Sequence, residues 1–309
     1  MPRKGRIMLA NEEVILQEKV KAVIIKEFGW NVCEIKIHGR GVQNIVLMVE
    51  EQDMGRFAVR VPYPEDRQQF PNRERDRSLL LKEADITNYC SRFNIPVPKV
   101  HHTFLSDELD FIIVDFIEGD PTKISHKSIG EMVQKIHRIP VEPLFIRNQG
   151  ERTIYDYMAN RIAERVKFVK PIIDISSCIP NRNEIEQILA IPTNNKESLL
   201  HLDVRPPNLI SKKGEIGAIL DWDNALKGDP VLELMRVEES MELDFKEFMK
   251  GYTDYSLLNE TPMIVQNLYR LDTALMLTIL FEQVLKNQMK SEYYQNRLKF
   301  LSLQVAKEV

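Results

Sequence analysis

Apolar residues at Leu16, Val20, Val23, Ile24 and Phe28 recur at helical spacing, with Asn11 suited to cap the start of that helix and Gly29 its end. The period then changes to two. Cys33, Ile35 and Ile37 alternate with Glu34, Lys36 and His38, the pattern of a half-buried strand. Runs from Ile45 to Val49 and from Arg56 to Val61 predict two more strands, the second ended by Pro62 and Pro64. Between Arg73 and Phe93 the chain is charged and helix-permissive around Leu79-Leu80-Leu81, until Ile95-Pro96-Val97-Pro98 stops it. Phe111 to Val114 reads as another strand. Downstream, helical patterns cover residues 128–138, 153–170, 181–190, 233–250, 262–288 and 291–306, interrupted by two short strand-like runs, Ser198 to Leu202 and Ile216 to Leu220. Strands first and helices afterwards is α+β order. The expected lobes are residues 1–117 and 118–309.

Charge and cysteine usage narrow the function classes. The 309 residues carry 42 Lys and Arg against 46 Asp and Glu, so no basic excess exists to hold a nucleic-acid backbone or a membrane surface. Cys33, Cys90 and Cys178 are too few and too scattered for a disulfide framework or a zinc site, the usage of a reducing cytoplasm. The longest uncharged apolar run, Thr273 to Phe281, is far short of the ~20 residues that span a bilayer. The start is basic, but its apolar stretch is too short for a signal peptide. The expectation is a soluble cytoplasmic protein with neither a nucleic-acid nor a membrane partner. His38, His101, His102, His126 and His137 fit no metal or nucleophile pattern.

One stretch carries chemistry. His201, Asp203 and Asn208 match H-x-D-x-x-x-x-N, the spacing of a kinase catalytic loop. Thirteen residues after Asn208, at the end of an apolar strand, stands Asp221. Phosphoryl transfer needs Mg²⁺ across the β- and γ-phosphates, and hard Mg²⁺ wants oxygen ligands, which Asn208 and Asp221 offer. Asp203 is then the carboxylate that accepts or orients the acceptor's hydroxyl proton. Turn and cap chemistry accounts for each residue singly but does not impose both spacings. Arg205 adds a positive charge beside Asp203; it either stabilises the transferring group or pairs with a neighbouring acid.

The first third supplies a nucleotide half. In Phe57-Ala58-Val59-Arg60, alternation puts Ala58 and Arg60 on one face, where a small residue admits a base and a permanent cation reaches phosphates. Glu83 could pair with Arg60, although Glu74, Asp76 and Asp85 compete for that role. Gly39 and Gly41 sit between two strands, where backbone N–H groups could cover phosphates or simply make a turn. Six acids between Glu233 and Glu247 would attract a cationic acceptor; they better suit the wet face of a helix whose dry face is Leu234, Val237, Met241, Phe245 and Phe248.

These residues resemble the aminoglycoside phosphotransferase and choline kinase-like family, over roughly residues 30 to 240. The similar pieces are Leu200 to Ile210, Ala218 to Ala225 with Gly228-Asp229-Pro230 after it, Ile95-Pro-Val-Pro98, and Ile136-His-Arg-Ile-Pro140. The resemblance implies a two-lobed protein-kinase-like fold and transfer of the γ-phosphoryl group of ATP or GTP to a hydroxyl of a small molecule, such as an aminoglycoside or another amine or sugar alcohol. It implies Asp203 as base, Asn208 and Asp221 as Mg²⁺ ligands, and Asp115, Phe116 and Ile117 as the hinge that meets adenine. Under it His201 braces the loop and Asp229 orders the segment after the metal site. Arg60 stands where the family usually has lysine, and Val204-Arg-Pro-Pro207 where Leu-His-Pro-Gly is commoner. Asp221-Trp222-Asp223 replaces Asp-Phe-Gly and no Ala-Pro-Glu follows, which argues against a protein substrate. The alternative reading is a catalytically weak pseudokinase that acts as a nucleotide-dependent binding module.

Overall fold

The computed structural model describes residues 3–41, 44–62, 76–146, 152–193 and 195–308. Val42 and Gln43 of the glycine segment, Pro64, and the start of the Arg73–Phe93 stretch, Glu74 included, lie outside them. The chain groups into two compact units, one of Met1–Arg67 with Pro98–Glu118 and one of Gln68–Val97 with Gly119–Val309.

The smaller unit is an antiparallel sheet with one helix, α1 (Arg3–Phe28), and strands β1 (Val32–Arg40), β2 (Asn44–Glu51) and β3 (Gly55–Pro62). Strands β4 (Val100–Leu105) and β5 (Asp110–Asp115) complete it, in the order β1-β2-β3-β5-β4. Period-two alternation sorts the residues into two faces. Leu47, Val59 and Ile113 lie opposite one another on one face and join Val20, Ile24 and Trp30 in a core. The other face carries the rows Met48–Ala58–Val114 and Val46–Arg60–Ile112. Helix α1 begins well before Asn11, which therefore is not its cap. Strand β4 escaped the sequence pattern because His101 and His102 interrupt its alternation; His101 Nε2 instead bonds Asp115 Oδ1 at 2.7 Å.

The larger unit contains α2 (Asp76–Ser91), α3 (His126–His137), α4 (Ile154–Val169) and α5 (Arg182–Leu189), all within the predicted helical stretches to a residue or two. It then has two small hairpin-like ladders, β6 (Ser198–Leu200) with β9 (Leu226–Gly228) and β7 (Leu209–Lys212) with β8 (Glu215–Ile219). Helices α6 (Pro230–Ser240), α7 (Phe245–Gly251), α8 (Ser256–Glu260), α9 (Met263–Ile279) and α10 (Gln288–Glu308) follow. The single helix expected over 233–250 is two. Met241 turns left-handed at φ 54°, Leu243 is buried, and the Asp244 side chain accepts Glu247 N–H to start α7. Met241 is consequently exposed rather than on a dry face. Residues 76–97, expected in the first lobe, group with the helical unit, where α2 packs on the turn Trp222–Asn224.

The fold is a mixed α+β architecture, a five-stranded sheet in one unit and a mainly helical second unit. No helix among the described residues is long and apolar enough to cross a membrane.

Candidate active site

Strand β6 is fully buried and delivers the chain to His201. The imidazole Nδ1 accepts the Asp203 N–H at 3.2 Å, so Nε2 carries the hydrogen that it donates to Leu220 O at 3.0 Å. One ring thus ties the loop to the strand that ends at Asp221, and its face lies 4.4 Å from the Trp222 ring. Leu202 then adopts φ 61°, a left-handed turn that costs a branched side chain ~1–2 kcal/mol. That cost is offset by Glu233, whose carboxylate accepts His201 N–H at 3.0 Å and Leu202 N–H at 2.7 Å.

Asp203 faces a set of donors. Asn208 Nδ2 donates to its Oδ2 at 2.7 Å and to its backbone oxygen at 2.9 Å, and Arg205 Nε lies 3.2 Å from both carboxylate oxygens. Pro206 and Pro207 preset the single 3-10 turn that brings Asn208 back onto Asp203. Asn208 O accepts Leu220 N–H at 2.9 Å, which fixes the next strand against the loop. Asp221 sits at φ 67°, ψ 70°, directly before the turn Trp222–Asn224. Asp203, Arg205, Asn208 and the Asp221 strand are therefore one hydrogen-bonded assembly inside the larger unit.

Two contributors, Glu233 and Lys82, were not legible in the motif, and a third, Asp229, takes the ordering place that the family resemblance implied. Glu233, read as one of six surface acids, is buried one turn into α6 and takes a third hydrogen bond, from His137 Nε2 at 2.8 Å. Burial alone would raise its pKa, but the His137 bond and charge and the loop amides outweigh that and hold it below the usual carboxylate range. Its place at i−4 from buried Val237 was the available signal. Lys82, buried in α2, donates to Asp223 O and, at 3.3 Å, to Ala225 O, bracing the chain just after Asp221. Asp229 caps α6 through Val231 N–H at 2.9 Å and is held by Asn195 and Tyr269; burial pushes its pKa up.

The other predicted residues lie elsewhere. Ala58 and Arg60 share a face of β3, with Arg60 buried, and Gly39 sits in β1 where its register with β2 shifts. Gly41 donates its N–H to Asn44 O at 2.8 Å, an ordinary turn bond. Glu83 is buried in α2. Asp115 ends β5, accepting Lys99 N–H at 3.1 Å, and Phe116 meets the His38 ring edge at 4.8 Å, with Ile117 next along the chain.

The family model described as phosphotransferase enzyme family matches residues 34–252. A comparison with curated proteins gave no match. Among solved structures, a thermostable mutant of the aminoglycoside phosphotransferase APH(4)-Ia, in ternary complex with AMP-PNP and hygromycin B, is 15% identical at a TM-score of 0.64, covering 92% of this chain and 97% of that one. A candidate fructosamine-3-kinase from Haemophilus somnus 129PT is 19% identical at 0.65, covering 93% and 96%. The GDP complex of a mutant aminoglycoside 2'-phosphotransferase-IIIa is 15% identical at 0.63, covering 93% and 98%. The shared fold is that of these kinase-like enzymes.

Proposed function

The chain belongs to the phosphotransferase enzyme family, and from that premise we propose that it transfers the γ-phosphoryl group of ATP or GTP to a hydroxyl of a small molecule. The observation that carries this reading is the Asp203–Asn208 pair, locked side chain to side chain at 2.7 Å and tied through Asn208 O to the strand that ends at Asp221.

In the proposed reaction the acceptor oxygen forms a bond to the γ-phosphorus while the bond to the β–γ bridging oxygen breaks, releasing a nucleoside diphosphate. Asp203 receives the hydroxyl proton; Asn208 Nδ2 fixes one of its oxygens and so sets the direction of the other. Arg205, resting on both oxygens of Asp203, keeps that carboxylate oriented and brings a permanent charge to the side where phosphate charge builds. The donor chemistry suits magnesium. Asn208 commits its Nδ2 to Asp203, leaving Oδ1 for a hard cation, and Asp221 adds a carboxylate. Among the described residues no cluster of three His, Cys, Asp or Glu could hold a metal, so Asn208 and Asp221 are the residues of this chain that would hold magnesium. When bound, magnesium supplies neutralisation of the β- and γ-phosphate charge. Gly39, Gly41, Ala58, Arg60, Glu83, Asp115, Phe116 and Ile117 are assigned to the nucleotide, and a cytoplasmic location is assigned from the cysteine usage.

The test is Mg²⁺-dependent phosphate transfer to a panel of hydroxyl compounds, run with Asp203→Ala. The variant should lose ~10²–10⁴-fold in turnover while keeping Mg-nucleotide affinity. Near-normal turnover would remove Asp203 from the mechanism. Nucleotide binding without any turnover in the wild type would favour the pseudokinase reading.

A further inference from the structure

Three arginines lie inside the helical unit, and Arg236 stands one turn after Glu233, on the side of α6 that holds the loop of Asp203. Arg161 and Arg165 come from α4, Arg236 from α6, and all three are largely buried. One carboxylate, Asp272 of α9, meets two of them. Arg161 forks onto it through Nε at 3.1 Å and Nη2 at 2.6 Å, and Arg165 Nη1 reaches its Oδ1 at 2.6 Å and its backbone oxygen at 3.1 Å. Asp272 is fully buried, and both its carboxylate oxygens accept from these two arginines. Arg236 is left with one hydrogen bond, from Nη2 to the Met276 thioether at 3.0 Å, a weak acceptor for a guanidinium with five N–H groups.

The charges do not balance. Three guanidiniums share one paired carboxylate, and the acid that Arg236 feels most is Asp203, already engaged by Arg205 and Asn208. Burial and the two neighbouring arginines lower the Arg236 pKa to about 10, with Asp203 the main influence upholding its charge. A largely buried cation whose one protein partner is a thioether is costly unless water or a ligand oxygen meets its remaining N–H groups. Clamping α4 to α9 does not explain it, since Arg161 and Asp272 do that without Arg236. Of the six acids expected to draw a cationic acceptor, Glu233 is committed to the loop, Glu238 to Arg270, Glu239 to Arg297 and Asp244 to capping α7, while Glu242 and Glu247 meet Lys290 and Lys250 at the surface.

We propose that Arg236, backed by Arg161 and Arg165, is an oxyanion-recognition site for the acceptor, so that the acceptor is a hydroxyl compound that also bears a carboxylate or a phosphate. This rests on the phosphotransferase reading for the acceptor's role, though not for the anion site itself. A guanidinium fork suits either anion, and its nearness to Asp203 would set the acceptor's hydroxyl beside the base.

Calorimetric titration of the full chain with D-glycerate and with glycerol 3-phosphate, against glycerol and ethanolamine as uncharged and cationic controls, tests the site directly. Saturable binding of at least one anion and neither control is expected, and whichever anion binds names the group. Arg236→Met should weaken that binding tenfold or more, and Arg236→Lys, which keeps charge but loses the fork, should weaken it less. Circular dichroism establishes that each variant is folded; if Arg236→Met is not, the Lys variant carries the comparison. No saturable binding of either anion, or binding unchanged in the folded variants, overturns the proposal. Phosphate transfer to amines or aminoglycosides with no anion binding would overturn it while leaving the phosphotransferase reading intact. Arg236-dependent anion binding with no transfer to any acceptor would do the reverse.

Discussion

Glu233 accepts three hydrogen bonds in the protein interior and so acts on Asp203 only by holding the loop that carries it. Glu233→Gln removes the charge that faces His137 and turns one acceptor into a donor, at a cost of ~2–4 kcal/mol in stability. Turnover should fall more than Mg-nucleotide affinity, because the loop of Asp203 shifts while the residues proposed for the nucleotide on β3 and β5 stay. The sign of its pH effect follows from a folded pKa below the unfolded carboxylate value of ~4.3. Its stabilisation is complete above that value and is lost as pH falls through the lower folded pKa. Urea unfolding of wild type should therefore weaken on that acid limb, and Glu233→Gln should flatten it; equal slopes in the two proteins would deny the carboxylate this role. A second pair of substitutions separates metal ligation from base catalysis. Asp221→Asn should raise the magnesium requirement, whereas Asp203→Asn should lose rate with an almost unchanged magnesium titration. Coincident curves for both variants and wild type would move the metal assignment to another carboxylate, Asp223 being the nearest in sequence.

Helices α3 and α7 approach backbone to backbone, which a glycine on each side permits. A Cβ on Gly130 would stand 2.0 Å from Phe248 O, and one on Gly251 would stand 1.9 Å from Lys127 O. Neither obstacle is a flexible side chain, so the helices must separate. Separation would disturb Tyr252, whose hydroxyl lies 2.9 Å from His137 Nδ1, and through His137 the Glu233 carboxylate. Gly130→Ala is expected to destabilise by several kcal/mol despite its better helix propensity, and to lower turnover although it touches no reacting group. Thermal unfolding with parallel kinetics checks both; an unchanged melting temperature would show that the helices can part at no cost. The pattern of apolar spacing located α3 but not this crossing, since spacing reports which face is dry and not how closely two backbones come.

At the scale of the molecule, buried apolar side chains among the described residues form two separate clusters, one in the sheet unit around Leu47, Val59 and Phe111 and one in the helical unit around Trp222, Leu232 and Leu268. A substitution inside one cluster should be felt first by its own unit. Leu47→Ala, at a fully buried position, should cost ~2–5 kcal/mol and shift the part of the calorimetric trace that belongs to the sheet, with a smaller change in the remainder. One transition displaced as a whole would instead mean that the units unfold together.

What the amino-acid sequence determined by itself is local. Alternation in Cys33–Ile37 and Phe57–Val61, helical spacing in residues 128–138 and 153–170, and the fixed offsets of His201, Asp203, Asn208 and Asp221 can each be read within a few residues of chain, because strand and helix periods and turn chemistry act at that range. The paired ladders β6–β9 and β7–β8 were half visible: β6 and β8 showed within the apolar runs Ser198–Leu202 and Ile216–Leu220, whereas the three and four residues of β9 and β7 are too few to declare a period. The supports of the site came only with tertiary structure. Glu233 reaches Leu202 across 31 residues, Lys82 reaches Asp223 across 141, and Arg161 meets Asp272 across 111. Whether such a side chain is a solvated surface charge or a buried anchor depends on which helix packs over it. That is decided by the closing of the core, and no local pattern of charge records it.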